Sequence, residues 1–108
     1  MTLTCLGKVT VPTPGTPVPI NPSIVATASI LAVQTIPGLT SKIYIGQQSM
    51  NKATLAGVFR ILWPNPSGGI CDQFVLTDES GVDGIRLAEY YIDVDVAGEG
   101  ALVGYWTE

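Results

Sequence analysis

The sequence predicts an all-β chain: a single antiparallel β-sandwich or barrel of about eight short strands, jelly-roll-like arrangements included. Three observations carry this. Apolar and polar residues alternate with period two in stretch after stretch, as half-buried strands do. Glycine- and proline-rich turn signals recur about every ten residues. Where helix and strand compete, at 24–36, seven β-branched residues outweigh the helix-favouring alanines. With 108 residues the chain has room for one two-layer core. It reads as a single β domain spanning 1–108, with a proline-rich edge or arm at 11–22.

The first strand is expected at Thr2 to Val11, with Leu3, Cys5, Val9 and Val11 on one face and Thr2, Thr4, Lys8 and Thr10 on the other. Five of the eight prolines then fall between Pro12 and Pro22. Proline gives no ladder donor, so this segment can only be an edge, or an arm over a neighbour. Pro14-Gly15 and Pro37-Gly38 each suit the centre of a type II turn. Lys42 to Leu62 holds the two clearest strands, KIYIG and GVFRIL, joined by the polar stretch QQSMNK. In the second strand Val58, Arg60 and Leu62 share one face and Phe59, Ile61 and Trp63 the other, so both faces carry apolar side chains. Ile70 to Thr77 alternates again, TDESGVDG is a polar loop, and 85–89 suits one helical turn. Tyr90, Ile92, Val94 and Val96 are expected inward and Tyr91, Asp93 and Asp95 outward, with AGEG turning the chain into Ala101 to Trp106 as a terminal hairpin.

Composition narrows the function. Charged residues make up 13% of the chain, where about 25% is usual. So little charge leaves much neutral surface, which suits contact with other subunits. The charge is also uneven. Residues 1–71 hold four basic and no acidic residues, and residues 72–108 hold one basic and nine acidic ones. The two halves either neutralise each other within the chain or steer head-to-tail docking of copies, with Arg60 meeting Asp93 or Asp95 of a neighbour. Five scattered basic residues argue against nucleic acid. The longest apolar-leaning run, Ile24 to Val33, is far too short to span a membrane.

No catalytic chemistry is expected. The chain has no histidine, which removes the usual general base and the commonest metal ligand. Cys5 and Cys71 form no metal motif and read as buried free thiols. Asp78, Glu79 and Asp83, and then Asp93, Asp95 and Glu99, form two acidic groups that fit no calcium-loop spacing. No cofactor or metal site is assigned. The expected working residues are interface candidates: Arg60, Trp63, Tyr91, Asp93 and Asp95. Exposed aromatics would also suit a carbohydrate-binding β-sandwich module.

The stretches KIYIGQQSMNKATLAGVFRIL and AEYYIDVDVAGEGALVGYW resemble small virion proteins of tailed bacteriophages. The matching residues are Ile43, Tyr44, Ile45, Gly46, Met50, Gly57, Tyr91, Ile92, Val103 and Tyr105, over roughly residues 25–107. The resemblance implies a non-enzymatic β-sandwich structural protein of the virion, assembled in the host cytoplasm where thiols stay reduced. A capsid decoration or cement protein, homo-oligomeric and bound to the major capsid protein, is the expected role. A tail, collar or fibre-base component is the alternative.

Overall fold

The computed structural model describes residues 2–21, 27–65, 71–78 and 84–107. Among these residues ten strands follow one another: β1 (Thr2–Thr10), β2 (Val18–Pro19), β3 (Thr27–Ala28), β4 (Ile30–Thr35), β5 (Ile43–Asn51), β6 (Ala56–Leu62), β7 (Gln73–Thr77), β8 (Ile85–Arg86), β9 (Tyr91–Val94) and β10 (Gly100–Thr107). A 3-10 turn at Leu87–Glu89 occupies the expected helical turn, and there is no α-helix among the described residues.

The chain forms one long hairpin rolled up on itself. Outward from its tip, β5 pairs with β6, β4 with β7, β3 with β8, β2 with β9 and β1 with β10, all antiparallel. Rolling brings β10 against β4 and β9 against β5. The result is a first sheet in the order β1-β10-β4-β7, a second in the order β2-β9-β5-β6, and a short β3-β8 ladder. Leaving that ladder aside, this is the strand order of a jelly roll, in which all but one of the strand connections cross between sheets. The expected terminal hairpin is therefore not a hairpin. β9 and β10 lie in different sheets, because each already has partners on both sides.

The turns follow local chemistry. Gly15 (φ 89°) and Gly38 (φ 86°) take the left-handed position of turns closed by Thr16 N–H to the Thr13 carbonyl (3.0 Å) and Leu39 N–H to the Ile36 carbonyl (3.3 Å). At the hairpin tip, the Asn51 side-chain oxygen accepts from the Ala53 and Thr54 N–H groups. That local cap fixes the turn at 52–55, so Gln47–Asn51, polar except for the buried Met50, belong to β5.

Two bulges change which residues face inward. In β1, Cys5 pairs with Gly104 and Gly7 with Val103, leaving Leu6 as an extra residue before Gly7 at φ 73°. The extra residue reverses the alternation. Leu6, Val9 and Val11 pack on the core, whereas Leu3 and Cys5 point outward. Cys5 is thus an exposed free thiol rather than a buried one, and Cys71 is half-buried. In the β5–β6 pair, Ile45 opposes Arg60 and Gly46 opposes Val58, which leaves Phe59 as the extra residue.

The core lies between the sheets. Leu31 and Val33 of β4, Val103 of β10, Ile43 and Ile45 of β5, Leu62 of β6 and Ile92 and Val94 of β9 are its centre. Val11 and Ile20 close it at one side, where the proline-rich segment crosses between the sheets. Each fully buried aliphatic side chain of this kind stabilises the fold by about 1.5–3 kcal/mol. β2 is a two-residue edge strand, a position in which the missing N–H of Pro19 does no harm. Val96, expected inward, lies exposed in the corner after β9.

Candidate functional site

Three surface regions concentrate the chemistry. The first is the corner that joins β9 to β10. Asp93 is 1% exposed, not outward-facing as alternation suggested. Its Oδ1 accepts from Gly15 N–H at 3.0 Å and Val94 N–H at 2.8 Å, so the turn of the proline-rich segment covers it. Asp95 accepts from the Tyr44 hydroxyl (3.1 Å) and pairs with Lys52 (3.3 Å), whose ammonium also donates to the Val94 carbonyl at 2.6 Å. Glu99 accepts from the N–H groups of Thr40 (2.9 Å) and Ser41 (2.8 Å) and from the Thr40 hydroxyl (3.0 Å).

This corner is a clasp that ties the proline-rich turn, the segment before β5 and the tip of the β5–β6 hairpin to β9 and the residues after it. The three carboxylates serve three different partners, and no group of residues suited to hold a metal ion occurs among the described residues. Burial raises the Tyr44 phenol, and its hydrogen bond to Asp95 raises it further, so it stays protonated near neutrality. Burial also pushes Glu99 upward, but hydrogen bonds from Ser41 and Thr40, helped by the charge of Lys8, outweigh this and hold it below the usual carboxylate range. Of the other acidic group, Asp78 takes the Gly84 N–H (2.9 Å), and Glu79 and Asp83 lie outside the described residues.

The second region is the open side of the sandwich, where β6 and β7 are both edges. Asp72 joins the sheets here. Its carboxylate accepts from Trp63 N–H and Gln73 N–H, each at 3.0 Å, and its carbonyl accepts from Thr35 N–H at 3.0 Å. Arg60 reaches the same carboxylate at 3.8 Å and not Asp93 or Asp95. The oppositely charged halves of the chain therefore meet within the molecule, at Arg60–Asp72 and Lys52–Asp95. Trp63, 58% exposed, lies under the Lys42 ammonium at 4.8 Å. Phe59 stands edge-to-face against Phe74 (5.4 Å) and Tyr90 (6.0 Å).

The third region is the outer face of the first sheet. Cross-strand register sets out three rows: Leu3, Trp106, Ile30 and Thr77; Cys5, Gly104, Ala32 and Val75; Lys8, Leu102, Gln34 and Gln73. Lys8, at one corner, is the only charged residue in these rows. Leu3 and Val75 are each 51% exposed and Leu102 39%. The small residues Gly104 and Ala32 leave a groove of about 310 Å³ between the flanking ridges. By strand spacing and rise, the face covers about 400 Å².

Of the five interface candidates, Arg60 and Trp63 come together through Asp72. Tyr91, half-buried, and Asp93 lie on β9, and Asp95 follows it in the clasp. Sequence reasoning missed Asp72, the aromatic pairing of Phe59 with Tyr90, and the apolar face. Only the face left a signal: the uncharged alternation Leu102-Gly104-Trp106. No protein-family model matches the chain, and neither a curated protein nor a solved structure does.

Proposed function

We propose that the chain is a structural, non-catalytic component of a bacteriophage particle, a decoration or cement protein that attaches to the capsid shell through the outer face of its first sheet. The observation that carries this reading is the largely apolar face, charged only at Lys8 in one corner, where Leu3, Val75 and Leu102 stand in water. The whole face covers about 400 Å², and its apolar part, which leaves out Thr77, Lys8, Gln34 and Gln73, is a patch of roughly 300 Å², at the lower end of the size where such patches tend to be functional. Docked on one partner the whole face buries about 800 Å² in total, less than the 1,200–2,000 Å² typical of a stable pairwise complex. Contacts of that size become effective when linked copies bind a repeating lattice, so a homo-oligomer on a shell is the assembly that suits them.

The phage setting is drawn from the resemblance, whose residues fall mainly on β5, β9 and β10. Jelly rolls occur in viral capsid domains and equally in lectins and cupins, so the fold contributes by analogy alone. Counting copies per purified particle tests the role. A decoration protein gives on the order of hundreds, set by shell symmetry. About three to twelve copies would instead assign it to a tail, collar or fibre base.

A further inference from the structure

The bulge in β6 gives the open side of the sandwich a second feature, apart from the sheet face. As the extra residue of the bulge, Phe59 is freed from strict alternation, and its ring turns toward Phe74 and Tyr90. The ring meets both neighbours edge-to-face, at interplanar angles of 70° and 72°, and remains 52% exposed. In front of it lies a cleft of about 440 Å³, lined by Gly46, Gln47, Phe59, Glu89 and Tyr90. Gly46 gives it a bare backbone wall. The amide of Gln47 and the carboxylate of Glu89 stand exposed at the rim, with Glu89 also 3.8 Å from Arg86. A neighbouring cleft of about 350 Å³ shares Glu89 and Tyr90 and continues past Arg86 and Thr77.

We propose that this cleft binds a neutral saccharide, one pyranose ring packing its C–H face on Phe59 while its hydroxyls bond Gln47 and Glu89. A pyranose has one apolar face and a girdle of hydroxyls. A preset aromatic ring beside a planar amide and a carboxylate complements both. The rim carboxylate and the chain's net charge of −4 disfavour acidic sugars. The shared residues allow a second ring to lie in the neighbouring cleft, so the ligand is an oligosaccharide. The site stands independently of the sheet face, and either can fail without the other.

The test is titration of the intact protein with maltohexaose, mannotetraose, galactotetraose and chitotetraose, each to about 10 mM, followed by backbone amide NMR. At least one sugar is expected to shift Gly46, Gln47, Phe59 and Tyr90 together. Phe59→Leu, which keeps apolar packing and removes the ring face, should weaken that binding about tenfold. Glu89→Gln, at an exposed position where folding is not at stake, should weaken it severalfold. Trp63→Ala should leave it unchanged. The proposal is overturned if none of the four sugars shifts these amides. Binding that survives Phe59→Leu overturns it too, as does a purely concentration-dependent self-association that Phe59→Leu removes, which would make the cleft a protein contact.

Discussion

Replacing Asp93 with alanine should destabilise the fold, although the residue lies in a stretch whose alternation points it at solvent. Asp93 Oδ1 accepts two backbone N–H groups, and its buried Oδ2 has no partner among the described residues. Asp93→Ala orphans the buried Val94 N–H, at a cost of about 1–3 kcal/mol. It also releases the Gly15 N–H, which water can reach, at about 0.5–1 kcal/mol. Removing the unpartnered Oδ2 returns about 1 kcal/mol. The net loss is about 2 kcal/mol, or roughly 8–15 °C in Tm for a domain of this size. Asp93→Asn keeps an acceptor oxygen in place and should cost less than about 1 kcal/mol. Urea unfolding at constant m-value measures both variants, and hydrogen exchange at the Gly15 amide reports release of the proline-rich turn. The reasoning is refuted if Asp93→Ala unfolds within about 0.5 kcal/mol of the parent, or if the asparagine variant loses as much as the alanine.

Other outcomes follow from single positions. Gly46→Ala should cost about 3 kcal/mol or more, because an added Cβ would run into the Gly57 carbonyl, a backbone group that cannot move aside cheaply; failure to express as a folded β protein, or a large drop in unfolding midpoint, is the expected observation. Leu55 sits at φ 65° with its side chain exposed, so Leu55→Gly should stabilise by up to about 1 kcal/mol, read as a rise in Tm. Glu99 is held below its unfolded pKa, so its contribution is complete above that unfolded value and is lost as pH falls through the lower folded one. Acid titration of stability should therefore show a loss below about pH 4.5, and Glu99→Gln should be less stable at neutral pH and flatter across that range.

Much of the fold was legible because local chemistry determined it. Pro14-Gly15 and Pro37-Gly38 make the turns their residues suit, β5 and β6 pair as neighbouring strands do, and Phe74 and Leu76 face inward as alternation requires. The bulges were not legible. One extra residue, Leu6 or Phe59, reverses a face, and a glycine or an exposed phenylalanine in a strand does not announce it. Pairing across the roll was hidden for a different reason. β9 and β10 each alternate as a hairpin arm would, and only the competition for partners across the whole chain sends them to opposite sheets. Asp93 misled for the same cause, since both faces of β9 are covered, one by the core and one by the proline-rich turn. The apolar face of the first sheet depends on the β1 bulge, which brings Leu3 and Cys5 alongside Trp106 and Gly104.

The most direct test of the proposed docking face is a charge placed in it. Val75→Lys and Leu102→Lys change exposed side chains in the middle and third rows, so each should shift stability by no more than about 0.5 kcal/mol and leave the β spectrum unaltered. If this face docks on a particle, each lysine would have to lose its water against the partner surface. The double variant, added to particles lacking the protein, is predicted to stay folded and to fail to attach, with at least about a tenfold loss in bound copies. Attachment of the folded double variant at the parent's copy number would contradict the account.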